Sequence, residues 1–91
     1  MNKVLFPKKD YVKELVRIFK LSKNSQKLVK TLSKYHEKDI AEAITLLTPA
    51  ERQHIYNVLD EHMIAEIFSY LDDTEKYLEE LSLEKAARVV S

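Results

Sequence analysis

Ninety-one residues with a formal net charge of zero, 45% apolar and 33% charged, describe one domain with a modest core and leave no room for a second. The absence of glycine and cysteine excludes disulfides and thiolate metal centres, discourages tight hairpins and favours helices throughout. No apolar run approaches the roughly 20 residues a membrane-spanning helix requires, and Lys8-Lys9 falls where a signal peptide would be apolar.

Leu5-Phe6-Pro7 is too short for an element of its own, and Asp10 is a plausible N-cap for a first helix. Tyr11, Leu15, Ile18 and Phe19 then recur at helical spacing up to Leu21, with Val12 and Val16 widening the stripe. Asn24 and Ser25 offer a second cap. Leu28, Val29, Leu32 and Tyr35 line one face of the helix that follows, and Lys27, Lys30 and Lys34 occupy the other. A third helix is expected over Lys38 to Leu47, with Ile40, Ala43, Ile44 and Leu47 inward, and it must end before Pro49. Thr48-Pro-Ala-Glu51 is the sharpest boundary: Thr48 caps, Pro49 fits the first turn, and Glu51 completes a capping box. Ile55, Val58 and Leu59 form the stripe of the fourth helix. Asp60 caps a fifth, with Ile64, Ile67, Phe68 and Leu71 on one face. Asp72-Asp-Thr-Glu75 repeats the cap pattern for a short sixth helix whose Tyr77, Leu78 and Leu81 face inward. Ser82 caps a seventh, where Ala86, Val89 and Val90 supply the apolar side. That side calls for a partner, so the chain is expected to continue into a longer protein. Tyr56 and Tyr70 read as half-buried packing residues with wet hydroxyls.

Charge divides the chain. Up to Lys34 there are ten Lys/Arg and two acidic residues, and from Tyr35 onward five basic and thirteen acidic. One helical domain is therefore expected over residues 1–91, with a basic part (1–35) and an acidic part (36–91). Such a split fits nucleic-acid or membrane contact through the basic end, or, as the favoured reading, helices whose fields attract one another within the domain or plain solvation. The lysine face of Lys20, Lys23, Lys27, Lys30 and Lys34 is compatible with contact to acidic lipid headgroups or RNA, but with no interleaved exposed aromatics and no known nucleic-acid motif it reads as solvated.

His36-Glu-Lys-Asp-Ile-Ala-Glu-Ala-Ile-Thr-Leu-Leu47 and Asp60-Glu-His-Met-Ile-Ala-Glu-Ile-Phe-Ser-Tyr-Leu71 are near copies, agreeing at Glu37/Glu61, Ile40/Ile64, Ala41/Ala65, Glu42/Glu66 and Leu47/Leu71. A period of this length is the signature of stacked helical units, each of which buries its apolar stripe only against neighbours. Units of about ten residues are marginal alone, so packing must hold them.

The words His36-x-x-Asp39-Ile40-Ala41-Glu42-Ala43-Ile44, Leu47-Thr48-Pro49-Ala50-Glu51-Arg52 and Ala65-Glu66-Ile67-Phe68-Ser69-Tyr70-Leu71 resemble the cytosolic N-terminal domain of MgtE-type magnesium transporters and channels. The resemblance runs roughly from Val29 to Val90; Glu37 stands where the family usually has a proline, and the sixth helix is about two residues short. It implies an all-α, right-handed superhelix of about six or seven short helices. It also implies a regulatory role beside a pair of CBS domains and a transmembrane pore, in a full-length protein expected to be a homodimer. Mg2+ held between acidic surfaces would keep the cytosolic part compact and the pore closed. The family's acidic ligand falls on Glu66, shared with a CBS domain, and a further one falls at best near Glu84. The resemblance thus implies weak or no Mg2+ binding by this segment alone, a cytoplasmic location, no direct membrane insertion and no nucleic-acid partner.

The residues allow blander readings. Glu66 projects away from the Ile64, Ile67, Phe68, Leu71 stripe, but an exposed glutamate on a helix is usually a solvated one, as Glu42 is expected to be. Asp39 suits the macrodipole at a helix start. His36, His54 and His62 match no local zinc spacing and read as structural or surface residues. No nucleophile-base order, glycine-rich phosphate loop or identifiable carboxylate pair argues for catalysis. The alternative is a protein-interaction module, since Ala65 to Leu71 also resembles the N-terminal part of the flagellar switch protein FliG.

Overall fold

The structure, a computed structural model, describes residues 10–90, so the Leu5-Phe6-Pro7 reading lies outside it. Seven helices and no strand occur among the described residues: α1 (Tyr11–Leu21), α2 (Ser25–Leu32), α3 (Glu37–Thr45), α4 (Pro49–Val58), α5 (Glu61–Phe68), α6 (Thr74–Leu78) and α7 (Leu83–Val90). Every start is set by a polar side chain. Asp10, Asn24, Asp60 and Asp73 each accept the backbone N–H three residues on, as does the Ser82 hydroxyl. Thr48 and Glu51 close the expected capping box, and His36 caps α3 through Nδ1, which accepts from the Lys38 N–H at 2.9 Å. Asp39 stands in the first turn of α3, where a negative charge suits the dipole.

The ends are made without glycine, and no described residue has a positive φ. Instead the last turns of α2, α3, α5 and α6 tighten into pairs of i→i+3 bonds, as in Leu46 N–H to Ala43 O and Leu47 N–H to Ile44 O. Ser33, Thr45 and Ser69 hydroxyls donate back to the carbonyls of Lys30, Glu42 and Glu66, each at 2.6 Å. Helices α1 and α4 stop when Ser22 and Leu59 turn extended. These tightened ends shift four boundaries from expectation. The second helix stops at Leu32, so Tyr35 packs on the core from a turn, and the third runs Glu37–Thr45, with Leu47 buried from the loop. The fifth stops at Phe68 and the sixth at Leu78, so Leu71 and Leu81 are buried from the segments that follow.

The odd-numbered helices stack in chain order, α1 on α3, α3 on α5 and α5 on α7. The matched words are therefore consecutive members of one row, and α1 extends that row although its sequence shares none of the repeated letters. The result is long for its size, 54 × 28 × 21 Å with a radius of gyration of 14.2 Å, where a compact chain would give about 12 Å. One continuous core runs along it through Leu15, Leu28, Ile40, Ile44, Ile55, Ile64, Ile67 and Phe68. Burying each such side chain contributes roughly 1.5–3 kcal/mol, which offsets the weakness of the individual helices. At the C-terminal end the expectation for α7 holds only in part: Ala86 and Val89 pack on the core, whereas Val90 is 65% exposed.

Candidate functional site

Helix α5 places Glu66 by periodicity. Ile64, Ile67 and Phe68 turn inward, so the residue between them turns out, and its side chain is 48% exposed. One turn back, His62 brings Nε2 to 2.9 Å from Glu66 Oε1. Glu37, at the start of α3, and Glu66 line a hollow of about 40 Å³ between α3 and α5, with Ser33 and Met63 at its rim. Among the described residues no three His, Asp or Glu side chains come close enough to hold a metal ion. A hard dication wants an oxygen-rich shell, of which the Glu37 and Glu66 carboxylates at this hollow would supply only a part.

The other candidates are dispersed. Glu42 is exposed at the position on α3 that matches Glu66, and with Lys38, Thr45, Tyr70 and Asp72 it borders a separate hollow. The Lys38 ammonium there disfavours a cation. Glu84 lies 3.8 Å from Arg88. His36 is committed to its cap and meets Tyr70 edge-on with ring centres 5.5 Å apart, while His54 and His62 are at the surface and the three do not meet.

A different cluster was not expected. Arg52, 5% exposed, crosses between units: Nε and Nη2 donate to the two oxygens of Glu80 at 2.8 and 2.7 Å, and Nη1 donates to the Leu47 carbonyl that follows α3. The guanidinium also lies 5.1 Å from the centre of the Tyr77 ring. Tyr56 donates its hydroxyl to Glu80 at 2.8 Å, and Gln53 donates to the Glu80 carbonyl at 2.7 Å. This corrects the half-buried reading of Tyr56, which is 2% exposed with its hydroxyl held in the protein, whereas Tyr70 is 47% exposed. A second cation repeats the device, as the Lys85 ammonium donates to the Tyr56 and Leu59 carbonyls at the end of α4. Long cations reaching from later units thus satisfy carbonyls that a glycine cap would satisfy elsewhere. The signal was present in the spacing, since Arg52, Ile55, Tyr56 and Leu59 share one helical face and a charge within an apolar stripe demands a buried partner.

The Arg52 guanidinium holds the Glu80 carboxyl below its ordinary value, aided by Tyr56 against the opposing effect of burial. Burial, reinforced by Glu80, pushes the Tyr56 phenol up. For Glu80 the unfolded chain binds the proton first, so its contribution is complete above the unfolded value of 4.5 and is lost as pH falls through the lower folded value. For Tyr56 the sign reverses, and its contribution is complete below the unfolded value of 10.0 and is lost as pH rises through the higher folded value. Urea denaturation at stepped pH is expected to show a steeper acid decline in the parent chain than in Glu80→Gln; equal slopes would assign the acid loss to other carboxylates.

Among the described residues no helix is long and apolar enough to cross a membrane. No curated protein and no solved structure matches the chain. The family described as the MgtE intracellular N domain matches residues 35–91, which takes in α3 to α7, both repeated words and Glu66. The all-helical row, with its recurring caps and stacked odd helices, agrees with that match, and the chain belongs to the MgtE intracellular N domain family.

Proposed function

We propose that the chain is the cytosolic regulatory domain of a magnesium transporter or channel, and that it responds to Mg2+ by packing against CBS domains and so gating a membrane pore. The family match over residues 35–91 carries this reading. The surface chemistry supports it: Glu66 offers an exposed carboxylate on a rigid helix, and the acidic excess beyond Tyr35 would repel another acidic surface until a dication neutralised both. A ligand that binds the packed state better than the open one shifts the population toward it, with no catalytic step. Glu66 alone is half a site, so this segment by itself is expected to bind Mg2+ weakly or not at all. The flagellar alternative has no comparable support, because the match is to the MgtE domain.

Two measurements test the reading. The coding sequence beyond Ser91 should encode two CBS domains followed by several membrane helices; a stop codon or flagellar domains there would sink it. In the full cytosolic region, millimolar Mg2+ should slow proteolysis, and Glu66→Ala should weaken that protection about tenfold in the Mg2+ concentration required, the usual effect of losing a ligand-shell group. Undiminished protection in the variant would remove Glu66 from the site.

A further inference from the structure

The outer face of α1 combines charge and apolar surface in a way that neither repeat packing nor the family match explains. Lys13, Arg17 and Lys20 stand at positions i, i+4 and i+7 and so form one stripe of three cations along the helix. Leu21, 69% exposed, flanks the stripe on one side and half-buried Val16 on the other; together these five residues line an open surface hollow of about 480 Å³. Lone exposed leucines are ordinary, and a cation stripe is usually solvated. Here the two coincide on α1, the first helix of the row among the described residues, on the side turned away from α3.

We propose that this face docks on an anionic lipid surface, with Lys13, Arg17 and Lys20 at the headgroup phosphates and Leu21 seated at the headgroup boundary. Charge complementarity singles out the occupant. The chain carries its basic excess up to Lys34 and its acidic excess beyond, so a negative surface attracts the α1 end and repels the other, which orients the domain. Single-stranded nucleic acid is disfavoured because it needs several aromatic platforms in a row, and on α1 Phe19 is buried and Tyr11, 45% exposed, is a single ring already edge-on to Tyr35. Helix α2 is the weaker candidate: Lys27 and Lys30 are exposed, but its leucines, Leu28 and Leu32, are in the core. The surface lies outside residues 35–91, so it does not depend on the magnesium reading.

Vesicle cosedimentation of the 91-residue chain tests this. Vesicles of mixed phosphatidylglycerol and phosphatidylcholine should retain the protein at about 0.1 M salt and release it at about 0.5 M, where screening is much shorter-ranged. Phosphatidylcholine alone should not retain it. The triple variant Lys13→Gln, Arg17→Gln, Lys20→Gln should lose about a hundredfold in partitioning, roughly fivefold per cation. Leu21→Ser should lose roughly fivefold, the share of a partly inserted leucine. Helicity should be unchanged in both, since all four residues are exposed and the ion pair given up, Lys20 to Glu51 at 3.5 Å, lies at the surface, where such pairs contribute little. Failure of the parent chain to bind, equal retention by phosphatidylcholine, or full binding by the triple variant would overturn the proposal. So would a control, Lys27→Gln with Lys30→Gln, that loses as much as the triple variant, or tighter binding to a polyuridylate oligomer than to the vesicles.

Discussion

Arg52→Ala is expected to destabilise the domain by about 3 kcal/mol, the effect of stripping one partner from a buried ion pair. For a domain of this size that corresponds to a fall in melting temperature on the order of 15 °C. The loss is large because one guanidinium serves three places at once: the carbonyl of Leu47 after α3, both carboxylate oxygens of Glu80 after α6, and the face of Tyr77. Its removal leaves Glu80, whose side chain is 18% exposed, with a negative charge at the end of a helix and no cation hydrogen-bonded to it, only the field of Lys76. Arg52→Lys is a poor substitute, because a point charge cannot make the paired donation that the fork makes. An apolar replacement of both partners, Arg52→Met with Glu80→Leu, should recover much of the loss, while leaving the Tyr56 hydroxyl without its acceptor. Thermal denaturation followed by circular dichroism distinguishes these cases. A melting temperature for Arg52→Ala within a few degrees of the parent would show that the pair is a surface contact in solution.

Local chemistry explains which parts of the architecture were legible in sequence. Caps depend on three or four adjacent residues, and Thr48-Pro-Ala-Glu51 specifies both a start and the hydrogen bonds that make it. Apolar periodicity depends on a dozen residues, and Ile40, Ile44, Ile64, Ile67 and Phe68 all lie where it puts them. Spacing overextends α2, α3, α5 and α6 because a tightened final turn keeps Tyr35, Leu47, Leu71 and Leu81 on the core without continuing the helix, and spacing alone does not distinguish the two. The Arg52–Glu80 pair is illegible for a different reason: Arg52 shares a face with Ile55, Tyr56 and Leu59 and so calls for a buried partner, but the partner lies two units away and Glu80 alone reads as solvent-facing. The row of odd helices is likewise a long-range fact. Nothing in the letters of α1 marks it as a neighbour of α3, yet the two pack as α3 packs on α5. The candidate site was legible only as far as exposure goes. Helical phase puts Glu66 outside, and any remaining ligands would have to come from another surface.

The second large effect is expected at Phe68. Phe68→Ala should cost about 4 kcal/mol, since the ring is 2% exposed and its truncation leaves a cavity between helices that cannot collapse freely. The ring centre lies 5.8 Å from that of Tyr56 at an interplanar angle of 81°, and 6.4 Å from that of Tyr77 at 58°, so edge-on aromatic contact is lost along with buried area. Phe68→Leu should cost far less, about 1 kcal/mol, because most of the volume is kept. The same two tyrosines also touch Arg52 or its partner, which makes the aromatic cluster and the ion pair neighbours rather than independent sites. A double-mutant cycle of Phe68→Ala and Arg52→Ala should therefore be non-additive by more than about 0.5 kcal/mol, where separate sites would add. Urea denaturation of the two single variants and the double variant measures the coupling. Strict additivity would mean that Tyr56 and Tyr77 transmit nothing between the two, and that the units are held by independent contacts. Glu66, on the opposite side of the same helix, supplies the control: Glu66→Ala should change stability by less than about 0.5 kcal/mol, as exposed positions do, so any loss of Mg2+ response in that variant is a loss of the ligand and not of the fold.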